Sequence, residues 1–282
     1  MNHRKAIKAV IIDSGIEIFR DPNVKDYPGG SFEAIRRQVR LYRRVRAIAP
    51  HAEIWVTCPD MCDDYHPKAL WLSEDITNIE RTVLNVITCI DYFDDVPWLI
   101  PVQGWYRKPR SLEISLDYYE QLGILTRFDY FAVANLCVER SCRVIEHGVK
   151  IVWSRLRGKR LHVFGLSLRC VDRVVSMIHS FDSTAWTRPC NARLHSMHPY
   201  SAKNTQQREL FFREWLAQLE KKLRKTGVGR KTLVDYLRTS TSDVYRLALH
   251  TSSQHHLLIG LDILRHQFSA NIVFSMKLAV SP

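Results

Sequence analysis

Six polar or small residues stand behind short apolar runs, and their types could assemble one catalytic cleft. Asp13 follows Val10-Ile11-Ile12, Asp60 comes shortly after the run ending at Thr57, and Gln103 follows Ile100-Pro101-Val102. Asn135 follows Phe131-Ala132-Val133-Ala134, Gly165 follows Val163-Phe164, and Asp182 follows Ser180-Phe181. Two carboxylates facing a sugar can divide nucleophilic and acid–base work, as in retaining glycosidases. A third carboxylate can accept from guanine N1–H and the 2-amino group while a glutamine N–H donates to O6. Taken singly, an aspartate after a strand is more simply a turn or helix N-cap residue. The chemical reading rests on the set, because all its members follow the C-terminal ends of successive runs.

The runs are Ala9 to Ile12, Glu53 to Thr57, Trp98 to Val102, Tyr130 to Ala134, Leu161 to Phe164 and Met177 to Phe181. They are short and lack clean alternation, as expected of parallel strands covered on both faces. Helical patterns lie between them. The clearest spans Phe32 to Ala49, with Ser31 as N-cap, Ile35, Val39, Tyr42 and Val45 as the apolar stripe, and Pro50 as the stop. Its other face carries Arg36, Arg37, Arg40, Arg43, Arg44 and Arg46. Further helices are predicted over Asp75 to Asp91, Leu112 to Leu122, Val138 to Arg155 and Cys170 to Val175. Repeated strand–helix units predict a parallel α/β sheet, open or closed into a barrel, and in a barrel all six strand ends face one side.

After Trp186 the pattern changes. Pro189 to Thr205 reads as a loop, Gln206 to Lys225 as a charged helix with Leu210, Phe211, Trp215, Leu216, Leu219 and Leu223 on one face, and Asn271 to Val280 as a last strand. The division expected is a barrel-like domain over 1–190 and a basic, mainly helical region over 191–282 that packs on it.

The 282 residues carry a formal net charge of +12, which suits a polyanion, although acidic proteins and membrane surfaces also attract such a chain. No apolar stretch is long enough to span a bilayer, and the N-terminal apolar run is too short for a secretory signal, so a cytoplasmic protein without membrane attachment is expected. The odd number of cysteines, seven, and their scatter predict reduced thiols rather than a disulfide framework.

In order along the chain, several segments resemble the tRNA-guanine transglycosylase superfamily, which exchanges guanine in nucleic acid for a 7-deazaguanine base. Asp13-Ser14-Gly15 is similar to its Asp-Ser-Gly-Gly, Asp60-Met61-Cys62 to its Asp-Glu-Cys, and Val102-Gln103-Gly104 to its Val-Gln-Gly. Phe131 to Leu136 resembles Tyr-Ala-Ile-Gly-Gly-Leu, Val163-Phe164-Gly165 resembles Leu-Met-Gly, and Phe181-Asp182-Ser183 with Thr187-Arg188 resembles the region around the family's nucleophile. The resemblance covers Val10 to Arg188.

It implies a TIM-type (β/α)8 barrel, complete or irregular, and a double displacement without a cofactor. Asp182 would attack C1′ and Asp13 would act as general acid and base. Asp60 and Gln103 would grip the purine, Ser14, Cys62, Gly104 and Gly165 would help line its pocket, and the backbone around Asn135 and Leu136 would complete recognition. Arg188 and the cluster Lys221, Lys222, Arg224 and Lys225 are candidate phosphate contacts, and a duplex would have to present its target nucleotide flipped out.

The chain also departs from the family. The structural zinc motif is missing, with only Cys190, His195 and His198 in that region, so no metal is expected. Asn135 replaces a glycine, and Glu17 stands where an aromatic would stack on the base, leaving Phe19 or Tyr106 for that task. These differences favour the 7-deazaguanine DNA transglycosylases of bacterial islands and phages, which act on DNA and for which a helper ATPase or DNA-processing protein is a further expected partner. Exchange on tRNA, a nucleoside glycosidase, and a non-catalytic nucleic-acid-binding relative are the other readings.

Overall fold

A computed structural model describes residues 9–63, 76–183, 196, 205–226, 272–273 and 276–277. Six parallel strands, β1 (Ala9–Ile12), β2 (Glu53–Thr57), β3 (Trp98–Val102), β4 (Tyr130–Val133), β5 (Arg160–Val163) and β6 (Ser180–Phe181), lie side by side in chain order. Seven α-helices are described: α1 (Gly30–Ile48), α2 (Asn78–Tyr92), α3 (Leu112–Gln121), α4 (Ile124–Arg127), α5 (Cys142–Arg155), α6 (Val171–Val174) and α7 (Thr205–Thr226).

Both faces of the sheet are covered, which explains the near-continuous apolar strands. Val10, Ile12, Ile54, Val56, Ile100, Val102, Phe131, Val133, Leu161, Val163 and Phe181 belong to the large cluster shared with the helices. The alternate positions Ile11, Trp55, Leu99, Tyr130, Ala132, Ala134 and Phe164 pack against one another on the other side. That second face is concave. In a flat sheet β2 and β5 would stand ~14 Å apart, three strand spacings. Instead Arg160 on β5 meets Glu53 on β2 at 2.8 Å, its guanidinium lies over the Trp55 ring at 4.4 Å, and Trp55 meets Tyr130 edge-on at 5.0 Å. The parallel strands therefore curl into a half-barrel.

Two short antiparallel pieces meet the outer strands. β7 (Ile272–Val273) pairs with β1, and β8 (Met276–Lys277) pairs with β6. Only three residue steps separate Val273 from Met276, a reach of at most ~11 Å, so the curl brings the two outer strands to one stretch of chain. The expected strand from Asn271 to Val280 is present in these two pieces, and its other residues lie outside the described ones.

Several boundaries differ from the sequence reading. Ser31 does not cap α1: the helix begins at Gly30 behind Gly29, both with φ near +80°, and Ser31 Oγ bonds Asp26 at 3.4 Å instead. Two successive positive-φ glycines turn the chain into the helix, a turn a side chain resists. α2 starts at Asn78 because Thr77 and Glu80 form a reciprocal capping box. α5 starts at Cys142 rather than near Val138, since Glu139 Oε1 accepts from the backbone N–H groups of Arg140 and Ser141 and holds a turn there. β6 is confined to two residues. The expectation of reduced thiols fails at one place: Cys142, opening α5, is joined to Cys170, which precedes α6, by a disulfide. Packing of α5 against the turn at 168–170 brings together two cysteines that are 28 residues apart. Cys58, Cys62, Cys89 and Cys137 carry no disulfide.

The long helix α7 turns Phe212, Trp215, Leu216, Leu219 and Leu223 into the same core as the strands. Among the described residues, no helix is long and apolar enough to cross a membrane.

Candidate active site

The C-terminal ends of the parallel strands bring three carboxylates together. Asp13 leaves β1 on a main chain fixed by α1, where Gln38 Nε2 donates to the Asp13 carbonyl at 3.1 Å. Asp60, in the loop after β2, is buried and held from several sides. Ser14 Oγ donates to its Oδ1 at 2.5 Å, Gln103 Nε2 donates to its Oδ2 at 2.5 Å, and Tyr27 OH donates to its carbonyl at 2.9 Å. From α2, Thr82 Oγ1 accepts from Met61 N–H at 2.9 Å and Asn85 Nδ2 donates to the Pro59 carbonyl at 2.9 Å, so the loop bearing Asp60 is fixed by backbone as well.

Asp182 follows β6 and is nearly buried. Its Oδ1 accepts from the Gly165 N–H at 2.9 Å and lies 3.2 Å from His162 Nε2. Gly165 sits at φ +64°, and a Cβ there would come within 3.0 Å of the Cys137 backbone, so glycine is required both by conformation and by close approach. That backbone geometry aims the N–H at the carboxylate.

Crowding of acids in a protein interior shifts their protonation. Burial, reinforced by the neighbouring carboxylates of Asp60 and Asp182, pushes the Asp13 carboxyl up to about 7. Asp13 still keeps part of its surface open, as a group reached through a cleft does. Burial also raises Asp60, to about 6, against the pull of the Ser14 and Gln103 hydrogen bonds. A protonatable acid near neutral pH thus stands beside a second carboxylate clasped by N–H donors, the division of labour that acid–base and nucleophilic catalysis needs.

The remaining expected residues divide into three groups. Gln103, fully buried, uses one amide N–H on Asp60 while its Oε1 has no partner, and Asn135 Oδ1 next to it has none either. These two buried acceptors can take an N–H or O–H from a water or from a ligand. Gly104 lies between Asn135 and Ser111: a Cβ on it would fall 2.6 Å from Asn135 Nδ2 and 2.8 Å from Ser111 Oγ. These residues border the carboxylates.

Others belong to packing. The Leu136 side chain lies in the main core against Gly148, leaving its backbone as the part available to a ligand. Cys62 packs with Ile16, Phe19, Tyr27 and Met61 in a separate apolar cluster, so its side chain is a wall behind Asp60. Phe19 is buried there, edge-on to Tyr27 at 5.1 Å, and is not a ring waiting to stack on a base. Tyr106 is half-exposed in the turn after Gly104 and retains that possibility.

A third group lies apart. On α7, Lys222 is engaged with Asp172 of α6 at 3.0 Å and Arg224 with Glu220 at 2.5 Å, while Lys221 and Lys225 are exposed. Half of the basic cluster thus serves helix docking and helix surface pairing. Trp186, Arg188, Cys190, His195 and His198 lie outside the described residues.

Sequence reasoning missed His162, Ser180 and Tyr130. They face the concave side on β4, β5 and β6 and form a buried polar column behind Asp182. Only the alternation of the strands could have pointed to them, since an inward polar residue in an apolar run breaks the pattern.

No family model matches the chain, and no curated protein matches it significantly. The functional reading therefore rests on the residues and their geometry.

Proposed function

We propose that the chain is a base-exchange transglycosylase that replaces guanine in DNA with a 7-deazaguanine base through a covalent aspartyl-glycosyl intermediate. The observation that carries this reading is the convergence of Asp13, Asp60 and Asp182, from three strand ends far apart in sequence, with Asp13 raised to about 7 by burial and by the other two.

The chemistry follows from the parts. Asp182 Oδ2 attacks C1′ of the target deoxyguanosine as the C1′–N9 bond breaks. Asp13, protonated near neutral pH, gives its proton to the departing guanine. It then takes the proton of the incoming base, whose ring nitrogen displaces Asp182 from C1′. The unpartnered oxygens of Gln103 and Asn135 supply acceptors for purine N–H groups. Ser14 and Gln103 hold Asp60 in position at the same wall. The net charge of +12 suits a phosphate backbone, and the target nucleotide must leave its stack to reach a site this deep.

The test is exchange of radiolabelled guanine into nucleic acid. Incorporation into DNA that disappears in Asp182→Asn and in Asp13→Asn supports the reading, whereas incorporation into tRNA alone moves the protein to the RNA-acting branch. Incorporation that survives in both variants contradicts the assignment.

A further inference from the structure

The carboxylate proposed as nucleophile does not stand alone. Behind it runs a column of four side chains: Asp182 Oδ1, His162 Nε2 at 3.2 Å, then His162 Nδ1 and Ser180 Oγ at 2.7 Å, then Ser180 Oγ hydrogen-bonded to Tyr130 OH. His162 is completely buried, and Ser180 and Tyr130 are nearly so. The Phe164 ring packs edge-on against the imidazole at 4.5 Å, which sets its plane.

The direction of these bonds follows from the inventory of donors. A carboxylate only accepts, so His162 Nε2 must carry a proton. In the neutral ring Nδ1 is then an acceptor, the Ser180 hydroxyl donates to it, and Tyr130 OH donates to Ser180 Oγ. A residue that merely filled the core would need none of this.

We infer that His162 is a positioning residue for Asp182, which decides which carboxylate oxygen reacts. Oδ1 receives two N–H donors, from His162 and from the Gly165 backbone. Oδ2 is left to form the C1′–O bond. In that step an Oδ2 lone pair bonds C1′, the C1′–N9 bond breaks with its electron pair going to guanine, and the proton comes from Asp13. In the second step the ring nitrogen of the incoming base bonds C1′, its proton passes to Asp13, and the C1′–O pair returns to Asp182, where the same two donors receive the restored charge. Donors fixed in advance around a carboxylate need no reorganisation as charge leaves and returns. The identity of the reaction rests on the proposed transglycosylase function; the His162–Asp182 link rests on geometry alone.

The experiment pairs kinetics with a direct reading of the imidazole. Full-length wild type, His162→Phe and His162→Gln are compared for guanine exchange into DNA, and the histidine side-chain nitrogens of 15N-labelled wild type and Asp182→Asn are observed by NMR. The expected result is an Nε2–H tautomer for His162 whose signal moves in Asp182→Asn. In the kinetics, kcat should fall about 100-fold in His162→Phe with KM for DNA nearly unchanged, and should largely recover in His162→Gln, which keeps a donor. An Nδ1–H tautomer, or His162→Phe turning over like wild type, overturns the inference. A wild type without exchange into DNA whose His162 signal still responds to Asp182→Asn refutes the proposed reaction on DNA while upholding the link itself.

Discussion

At the scale of single residues, the site is defined by how unlike environments treat like groups. Asp13 and Asp182 are both aspartates after a strand. Asp13, buried and set beside other acids, is raised to about 7, whereas one oxygen of Asp182 accepts from the Gly165 N–H and lies against His162 Nε2. The raised acid has a consequence for stability. Asp13 in the fold holds its proton where the unfolded chain, near 3.8, has lost it, so its contribution is fully present below about pH 3.8 and declines as the pH rises to about 7. Asp13→Asn should therefore flatten that stretch of the stability profile and raise the thermal midpoint at pH 8 while abolishing exchange; calorimetry across the pH range checks the first part. In wild type, exchange should fall as the pH rises through about 7, because Asp13, the proposed general acid, loses its proton. Ser14→Ala removes a hydrogen bond that lowers the Asp60 carboxyl, so Asp60 should titrate above about 6 in that variant, a shift measurable by 13C NMR of labelled aspartate. Asp13, Gln103 and Asp182 were legible in the sequence because each breaks an apolar run at its end, and Asp60 because it follows the end of one within three residues. His162 was missed: a polar residue inside an apolar run marks its own position, but nothing in the sequence shows that Ser180 and Asp182 wait beside it.

At the scale of elements, the turns after the strands do the positioning. Among the described glycines, a Cβ would meet its closest neighbours at Gly104 and Gly165. Gly104→Ala would push on Asn135 and Ser111, and the overpacking should destabilise the fold by about 1–3 kcal/mol in urea unfolding. The disturbance should reach exchange as well, since Asn135 borders the carboxylates. The strands β1, β2 and β3 were read with the right ends because their apolar runs stop where the polar cleft begins. Helix starts were read less well. Ser31 matched the usual N-cap preference, yet two glycines upstream make the turn; the Thr77–Glu80 box was present in the sequence but overshadowed by the acidic residue before it. The Cys142–Cys170 disulfide depends on how α5 meets the turn at 168–170, a tertiary fact that spacing does not encode.

At the scale of the whole molecule, curl turns a list of distant residues into one site. Contacts among β2, β4 and β5 across the concave face, through Arg160, Glu53, Trp55 and Tyr130, tie the strands on the inside. From outside, α7 adds Phe212, Trp215 and Leu219 to the core that backs the sheet. Trp215→Ala should cost about 3–5 kcal/mol of stability, read from the denaturant midpoint. The α/β pattern was legible because each strand–helix unit repeats it; the runs alone left the sheet open or closed and only the resemblance pointed to a barrel, because the curl is set by inward contacts between strands that are not neighbours. The central claim is that Asp182 forms a covalent bond to the sugar. Mass spectrometry of intact protein, quenched during incubation with DNA, tests it most directly. The account predicts a DNA-linked species in wild type that maps to Asp182 and is absent from folded Asp182→Asn; a species of the same mass and abundance in Asp182→Asn would contradict it.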